Sequence, residues 1–321
     1  MIEKKEIQEF KEHEFVQAVQ LYWKDTEEKI SHHLKEHLEY TQNTISEVFT
    51  NIAVSQKKRN LPAGQIVISL IRNSVWNGKA RAKIEVYDKN QVLGKLICTQ
   101  DMDVSWMFVS WNFFHETIVR LAEEKGVSRY IREPVIRWLM ESKLTEMAYY
   151  LYALLKYITL DADQLPAYDL FERRDGFYMS VGEYQDWQKI IYAEMPVLDI
   201  LYPNEAMPFI FQKIDGQKFC GIHFENLNLE KARFTNCEFE RCTFTDVNLN
   251  DVRFIDCSIR DMKMLTGTMY GALFQRCYIE DMDLTGMQRK WKPFSNPEPD
   301  QDFYRQVLMT ECKVAGEEDN E

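Results

Sequence analysis

Apolar side chains recur at spacings of three and four between residues 5 and 57, where Phe15, Val19, Tyr22, Ile30, Leu34, Leu38, Ile45, Val48 and Ile52 keep to one stripe. That period predicts helix. Asp25 and Glu28 form a capping-box pattern that places the start of a second, long helix there. The pattern then becomes that of strands. Ile66 to Trp76 is apolar and β-branched, Asn77-Gly78 is a hairpin signal, and Ala80, Ala82, Ile84 and Val86 alternate with Arg81, Lys83, Glu85 and Tyr87. Gln91 to Cys98 supplies a third strand. Helical spacing returns from about Val104 to Lys125, closed by Gly126. It recurs from Pro134 to about Ile158, and from a second capping-box pattern at Ser180 and Glu183 to about Leu201. The expectation for residues 1–205 is an α+β domain, with helices around a small three-stranded antiparallel sheet.

Beyond residue 216 the period changes to five. Phe219, Phe224, Leu229, Phe234, Phe239, Phe244, Leu249, Phe254, Ile259, Met264, Met269, Phe274, Ile279 and Leu284 are all large and apolar. Two residues before each runs a lane of smaller ones, Ile222, Leu227, Ala232, Cys237, Cys242, Val247, Val252, Cys257, Met262, Gly267, Ala272, Cys277 and Met282. The other three positions of each five are mostly polar. Neither a helix nor an alternating strand has this period. A chain that turns a right angle once per repeat does, with four repeats closing a square coil of about twenty residues. The large residue then fills the centre and the smaller one the corner, and Phe234, Phe254 and Phe274 should stack one coil apart. Each buried large side chain contributes ~1.5–3 kcal/mol before entropy is subtracted.

The segments Leu227-Asn228-Leu229, Ala232-Arg233-Phe234, Val247-Asn248-Leu249 and Met282-Asp283-Leu284 resemble the pentapeptide-repeat family, whose motif is roughly Ala-Asp/Asn-Leu-x-x. Lys218, His223, Arg233, Thr243 and Tyr278 depart from it at the Asp/Asn position, which reads as a degenerate array. The resemblance covers about 70 of 321 residues and implies a right-handed quadrilateral β-helix over 217–287 that presents a surface for binding. Residues 206–216 are then a linker and cap. Residues 288–321 form a tail in which Phe303, Val307 and Leu308, behind the Pro293–Pro299 stretch, have the spacing of a short helix for capping or dimerisation.

Composition narrows the function. Hydrophobic residues make up 45% and aromatic residues 13%, enough for a packed core. The net charge of −12 disfavours direct contact with nucleic-acid phosphates. The charged start MIEKKEIQEF and a most apolar run of only twelve residues, Tyr149 to Leu160, point to neither signal peptide nor membrane span, and the expected location is the cytoplasm. Seven cysteines without a CxxC pair suggest neither a disulfide framework nor a zinc site. Those in the repeat read as small buried hydrophobes.

Chemistry-bearing clusters are few. His33 and His37 stand four apart, a spacing that fits a metal, but no third ligand is evident and the surroundings are densely charged. His115 and Glu116 are adjacent and so do not face each other on a helix. The pairs Asp101/Asp103 and Asp161/Asp163 read as turns and caps. Tyr130, Arg132, Arg137, Trp138, Tyr149, Tyr150, Tyr152 and Tyr157 are residue types favoured at hot spots and also found in helical cores and rims. No nucleotide-binding or hydrolase motif occurs, so neither a catalytic residue, a metal nor a cofactor is assigned.

Some members of the resembling family protect type II topoisomerases and are thought to copy duplex DNA. The repeat here makes a rod of ~17 Å, against which duplex DNA carries about ten phosphate charges. Between Gln217 and Met287 there are eleven acidic and eight basic residues, a difference of −3. The leading expectation is therefore a non-enzymatic scaffold that binds a protein partner. A DNA mimic acting on a topoisomerase comes second, and an enzyme with its site in the N-terminal domain third.

Overall fold

The structure is a computed structural model that describes residues 2–159, 162–195, 200, 209–288 and 308–314. It divides into two compact units, Met1–Ala193 and Glu194–Glu321.

The first unit opens with three helices, α1 (Ile2–Glu12), α2 (Glu14–Ser31) and α3 (Leu34–Arg59). They are separated at His13 and His33, whose backbones leave the helical region. Asn60 ends α3 in the left-handed conformation, its N–H bonded to the Gln56 carbonyl. Then follow β1 (Ala63–Leu70), the single turn α4 (Arg72–Val75), β2 (Arg81–Tyr87), β3 (Leu96–Asp103), α5 (Trp111–Glu124), α6 (Glu133–Glu141), α7 (Leu144–Thr159), β4 (Arg173–Glu183) and β5 (Gln188–Ala193). Among these strands the sheet order is β3-β2-β1-β4-β5. β1 and β4 are parallel, and the remaining pairs antiparallel.

Several expectations are corrected here. The sheet has five strands and is mixed, where three antiparallel strands were expected. The helix expected after Ser180 and Glu183 is instead β4 and β5. From Phe177 onward nearly every β4 residue is buried, because a central strand with both faces covered shows no alternation from which to read it. Asp25 and Glu28 lie inside α2, where Asp25 pairs with Lys29 at 2.7 Å, and start no helix. The first strand ends at Leu70, and Asn77-Gly78 closes a connection that includes α4 rather than a two-residue hairpin. The helix expected from Pro134 to Ile158 is broken at Ser142-Lys143, and α5 begins at Trp111 after the 3₁₀ turn Ser105–Phe108.

An aromatic cluster holds α2 to α5. Tyr22, fully buried, stacks on Phe114 at 4.6 Å and meets the edge of Trp111 at 5.9 Å.

The second unit is a parallel-strand solenoid of about four turns. Strand pairs are offset by twenty residues, so Phe234 faces Phe254, Phe254 faces Phe274, and Phe219 faces Phe239. The ladder begins before the repeat expected from residue 217, because Lys213–Asp215 already pairs with Arg233–Thr235. At the far end Leu273–Gln275 pairs with Leu308–Thr310, an offset of 35, or one coil plus fifteen residues. The chain therefore rejoins in frame, with Met309, Cys312 and Val314 in the lanes of Phe274, Cys277 and Ile279. Leu308, expected in a tail helix, is in a strand. Phe303, Val307 and the Pro293–Pro299 stretch lie outside the described residues, as do Pro203 to Pro208 of the expected cap.

The fourteen lane residues from Phe219 to Leu284 all point inward, and all but the half-buried Leu284 are buried. Phe234, Phe254 and Phe274 stack at 5.2 and 4.7 Å with nearly parallel rings. In the corner lane the thiols of Cys237, Cys257, Cys277 and Cys312 donate to the carbonyls of Ile214, Phe234, Phe254 and Phe274 at 3.2–3.5 Å.

Candidate functional site

At most corners, what turns the solenoid is the residue two after the central one. Gly216, Gly221, Asn226, Lys231, Asn236, Arg241, Asp246, Asp251, Asp256, Asp261, Gly271, Arg276 and Asp281 all have positive φ. Gly, Asn and Asp tolerate this region best, and they fill most of these corners. One coil, 246–261, carries Asp at all four. The Asn or Asp before the central residue has its own task. The Asn228, Asn248 and Asp283 side chains accept the backbone N–H two residues on at 2.8–3.1 Å, which fixes the turn.

The rod so built has four outward faces of unequal exposure. On the face of Arg233–Thr235 and Arg253–Ile255, Arg253 and Ile255 are buried. On the face of Asn228, Asn248 and Thr268 the outward side chains are half-buried. The two remaining adjacent faces are open. One carries Lys218, Cys220, Glu238, Glu240, Arg260 and Tyr278, and the other carries His223, Glu225, Lys263, Leu265, Asp283 and Thr285. Leu265 and Tyr278 are large apolar groups exposed on these faces, at 48% and 39%.

Charges on the rod are largely paired in place. Lys218 reaches Glu238 at 2.8 Å and Arg260 reaches Glu280 at 3.6 Å across adjacent rungs. Arg276 binds both oxygens of Asp256 at 2.7 and 2.8 Å and holds that carboxyl below its usual range. Lys231–Glu230, Arg241–Glu240 and Lys263–Asp261 pair within a rung.

A second candidate lies in the first unit, where a cavity of about 440 Å³ is lined by apolar residues including Trp76, Phe108 and Trp111 and by Ser105, Asn112, His115, Glu133 and Arg137. Glu133, from the first turn of α6, accepts His115 Nε2 at 2.8 Å on one oxygen and Arg137 Nε at 2.8 Å on the other. Arg137 first, and then His115, hold the Glu133 carboxyl below the usual range. The Arg137 guanidinium lies over the Trp76 ring at 5.3 Å.

The acid partnered with His115 is thus Glu133, eighteen residues on. Glu116 is exposed and does not line the cavity. Asp101 pairs with Arg81, and Asp103 caps the N–H of Ser105. Asp161 lies outside the described residues. His33 ends up beside the break before α3 and pairs with Glu36, while His37 stacks on Trp106 at 4.2 Å; burial lowers the His37 pKa. Of the aromatic and arginine set, Tyr130, Tyr150 and Tyr152 pack against the core, whereas Trp138, Tyr149 and Tyr157 are exposed. Arg132 bonds the Arg129 carbonyl.

Residues 217–300 match the family model for a pentapeptide repeat region. Two solved structures of trypsin-treated variants of QnrB1, described as a plasmid-mediated fluoroquinolone resistance protein, are similar to the chain. One is 18% identical with a TM-score of 0.29 over 33% of this chain and 50% of that one. The other is 15% identical with a TM-score of 0.10 over 33% and 81%. The match thus spans about half the length of the first QnrB1 chain. No curated protein matches the sequence. The coil assignment rests on the ladders and the family match, which agree: this C-terminal segment is a pentapeptide-repeat solenoid.

Proposed function

We propose that this protein is a non-catalytic scaffold that binds a protein partner on the two open faces of its solenoid. The observation that carries the reading is the combination of exposure, mixed charge and exposed apolar groups on those faces. Lys218–Glu238 and Arg260–Glu280 pair across adjacent rungs, with Tyr278 exposed on the same face and Leu265 on the adjacent one. A backbone fixed by parallel ladders loses little entropy on binding. A mixed polar surface around a few apolar anchors is the anatomy of a protein interface.

The same pairing weighs against a copy of duplex DNA, which needs acidic groups left unpaired in rows. Direct binding to nucleic acid is disfavoured for the same reason. The reading places the protein in the cytoplasm, where all seven of its unpaired thiols would stay reduced. Among the described residues no helix is long and apolar enough to cross a membrane.

The test is affinity capture with the full chain beside a Leu265→Glu, Tyr278→Glu variant of equal helicity and melting temperature. A protein retained by the first and lost by the second supports the reading. No specific protein, or equal retention by both, overturns it. A retained type II topoisomerase whose supercoiling activity the chain alters would favour the DNA-mimic alternative.

A further inference from the structure

The cavity in the first unit has features that a merely structural hollow does not require. Its floor is aromatic, formed by Trp76, Phe108 and Trp111, the last only 5% exposed. On the polar side, Glu133 takes Arg137 through Nε, and the guanidinium plane lies on Trp76. Both contacts fix the arginine while leaving its two Nη groups without a hydrogen-bond partner among the described residues. A guanidinium held from behind, with its terminal edge open, suits the two oxygens of a carboxylate. The volume, about 440 Å³, falls within the range of small-molecule sites.

We propose that this cavity is a binding site for a small aromatic carboxylate, its ring lying among Phe108, Trp111 and Met140 and its carboxylate on the Nη edge of Arg137. His115 then has a positioning part, because its bond to the second oxygen of Glu133 fixes the carboxylate that orients Arg137. The inference is independent of the scaffold reading, since all these residues belong to the first unit and none lies on the solenoid.

The probes are 2-naphthoate and its neutral counterpart 2-naphthamide, titrated into the full chain by calorimetry and by quenching of tryptophan fluorescence. We expect saturable one-to-one binding of the naphthoate. Arg137 is largely exposed, so Arg137→Gln should leave helicity and melting temperature unchanged. It should weaken naphthoate at least tenfold, equivalent to about 1.4 kcal/mol, while moving naphthamide less than twofold. Glu133→Gln should weaken naphthoate as well, by releasing the arginine. Absence of saturable naphthoate binding to the wild-type chain overturns the site. Equal weakening of both probes by Arg137→Gln overturns the carboxylate assignment.

Discussion

Phe254 is the middle ring of the column that fills the solenoid, and replacing it with alanine tests the packing most sharply. The residue is fully buried between Phe234 at 5.2 Å and Phe274 at 4.7 Å, and it meets the edge of Phe239 at 5.6 Å. A Phe→Ala change in a core costs about 3–5 kcal/mol, and aromatic pairs carry ~0.5–1.5 kcal/mol beyond their area. Three such pairs vanish at once. The ladders above and below are hydrogen-bonded, so the cavity cannot collapse. We therefore place Phe254→Ala at the upper end, about 4–5 kcal/mol. Phe254→Leu, which keeps most of the volume, should cost only about 1–1.5 kcal/mol. Urea unfolding of the full chain followed by both tryptophan fluorescence and circular dichroism separates the units, because Trp23, Trp76, Trp106, Trp111, Trp138 and Trp187 all lie in the first and the described part of the second has no tryptophan, so a dichroism transition that fluorescence does not share belongs to the solenoid. At an m-value of ~2 kcal/mol/M, Phe254→Ala should lower the midpoint of the β-sheet circular dichroism signal by about 2 M. Equal costs for Ala and Leu, or a loss below about 1 M for Ala, would refute the packed-column argument.

Three further outcomes follow from the same geometry. Gly267→Ala should abolish cooperative unfolding of the solenoid in a thermal melt, since a Cβ there would lie 2.1 Å from the Val247 carbonyl oxygen and Gly267 has a φ of +137°. Asp256 is held below its usual pKa by Arg276, and Asp283 by the Thr285 N–H. Their contribution to stability is thus full above about pH 4 and disappears as pH falls through their depressed folded values; urea midpoints read by circular dichroism between pH 6 and 2.5 should fall in that lower window, and less so for Asp256→Asn. Native titration with a thiol reagent should modify exposed Cys220 first and half-exposed Cys312 and Cys98 more slowly, leaving Cys237, Cys242, Cys257 and Cys277 unreacted until the chain unfolds, with mass mapping as the readout.

The solenoid is legible in sequence because one residue in five is buried on every face, wherever the chain turns, so Phe219 to Leu284 announce themselves as a single lane. The turns left an equally regular trace that charge counting obscures. Asp246, Asp251, Asp256 and Asp261 read as surface acids, yet each sits at a corner with positive φ. The tail escaped because polar residues and prolines such as Arg289, Lys292, Pro297, Pro299 and Asp302 interrupt the two apolar lanes, although Met309, Cys312 and Val314 repeat the lane spacing. In the first unit β4 resisted reading because both its faces are covered. The partner of His115 resisted for a different reason: Glu133 comes from the next helix, and a contact made by packing two helices has no sequence spacing.

Docking of a protein partner on the open faces of the solenoid can be read out by site-specific photocrosslinking in cells. A crosslinker is placed in turn at Leu265 and at Asn250, on an open and a half-buried face. The account predicts one discrete protein adduct from position 265 and none from 250. Equal labelling from both positions, or no protein adduct from 265, would contradict it.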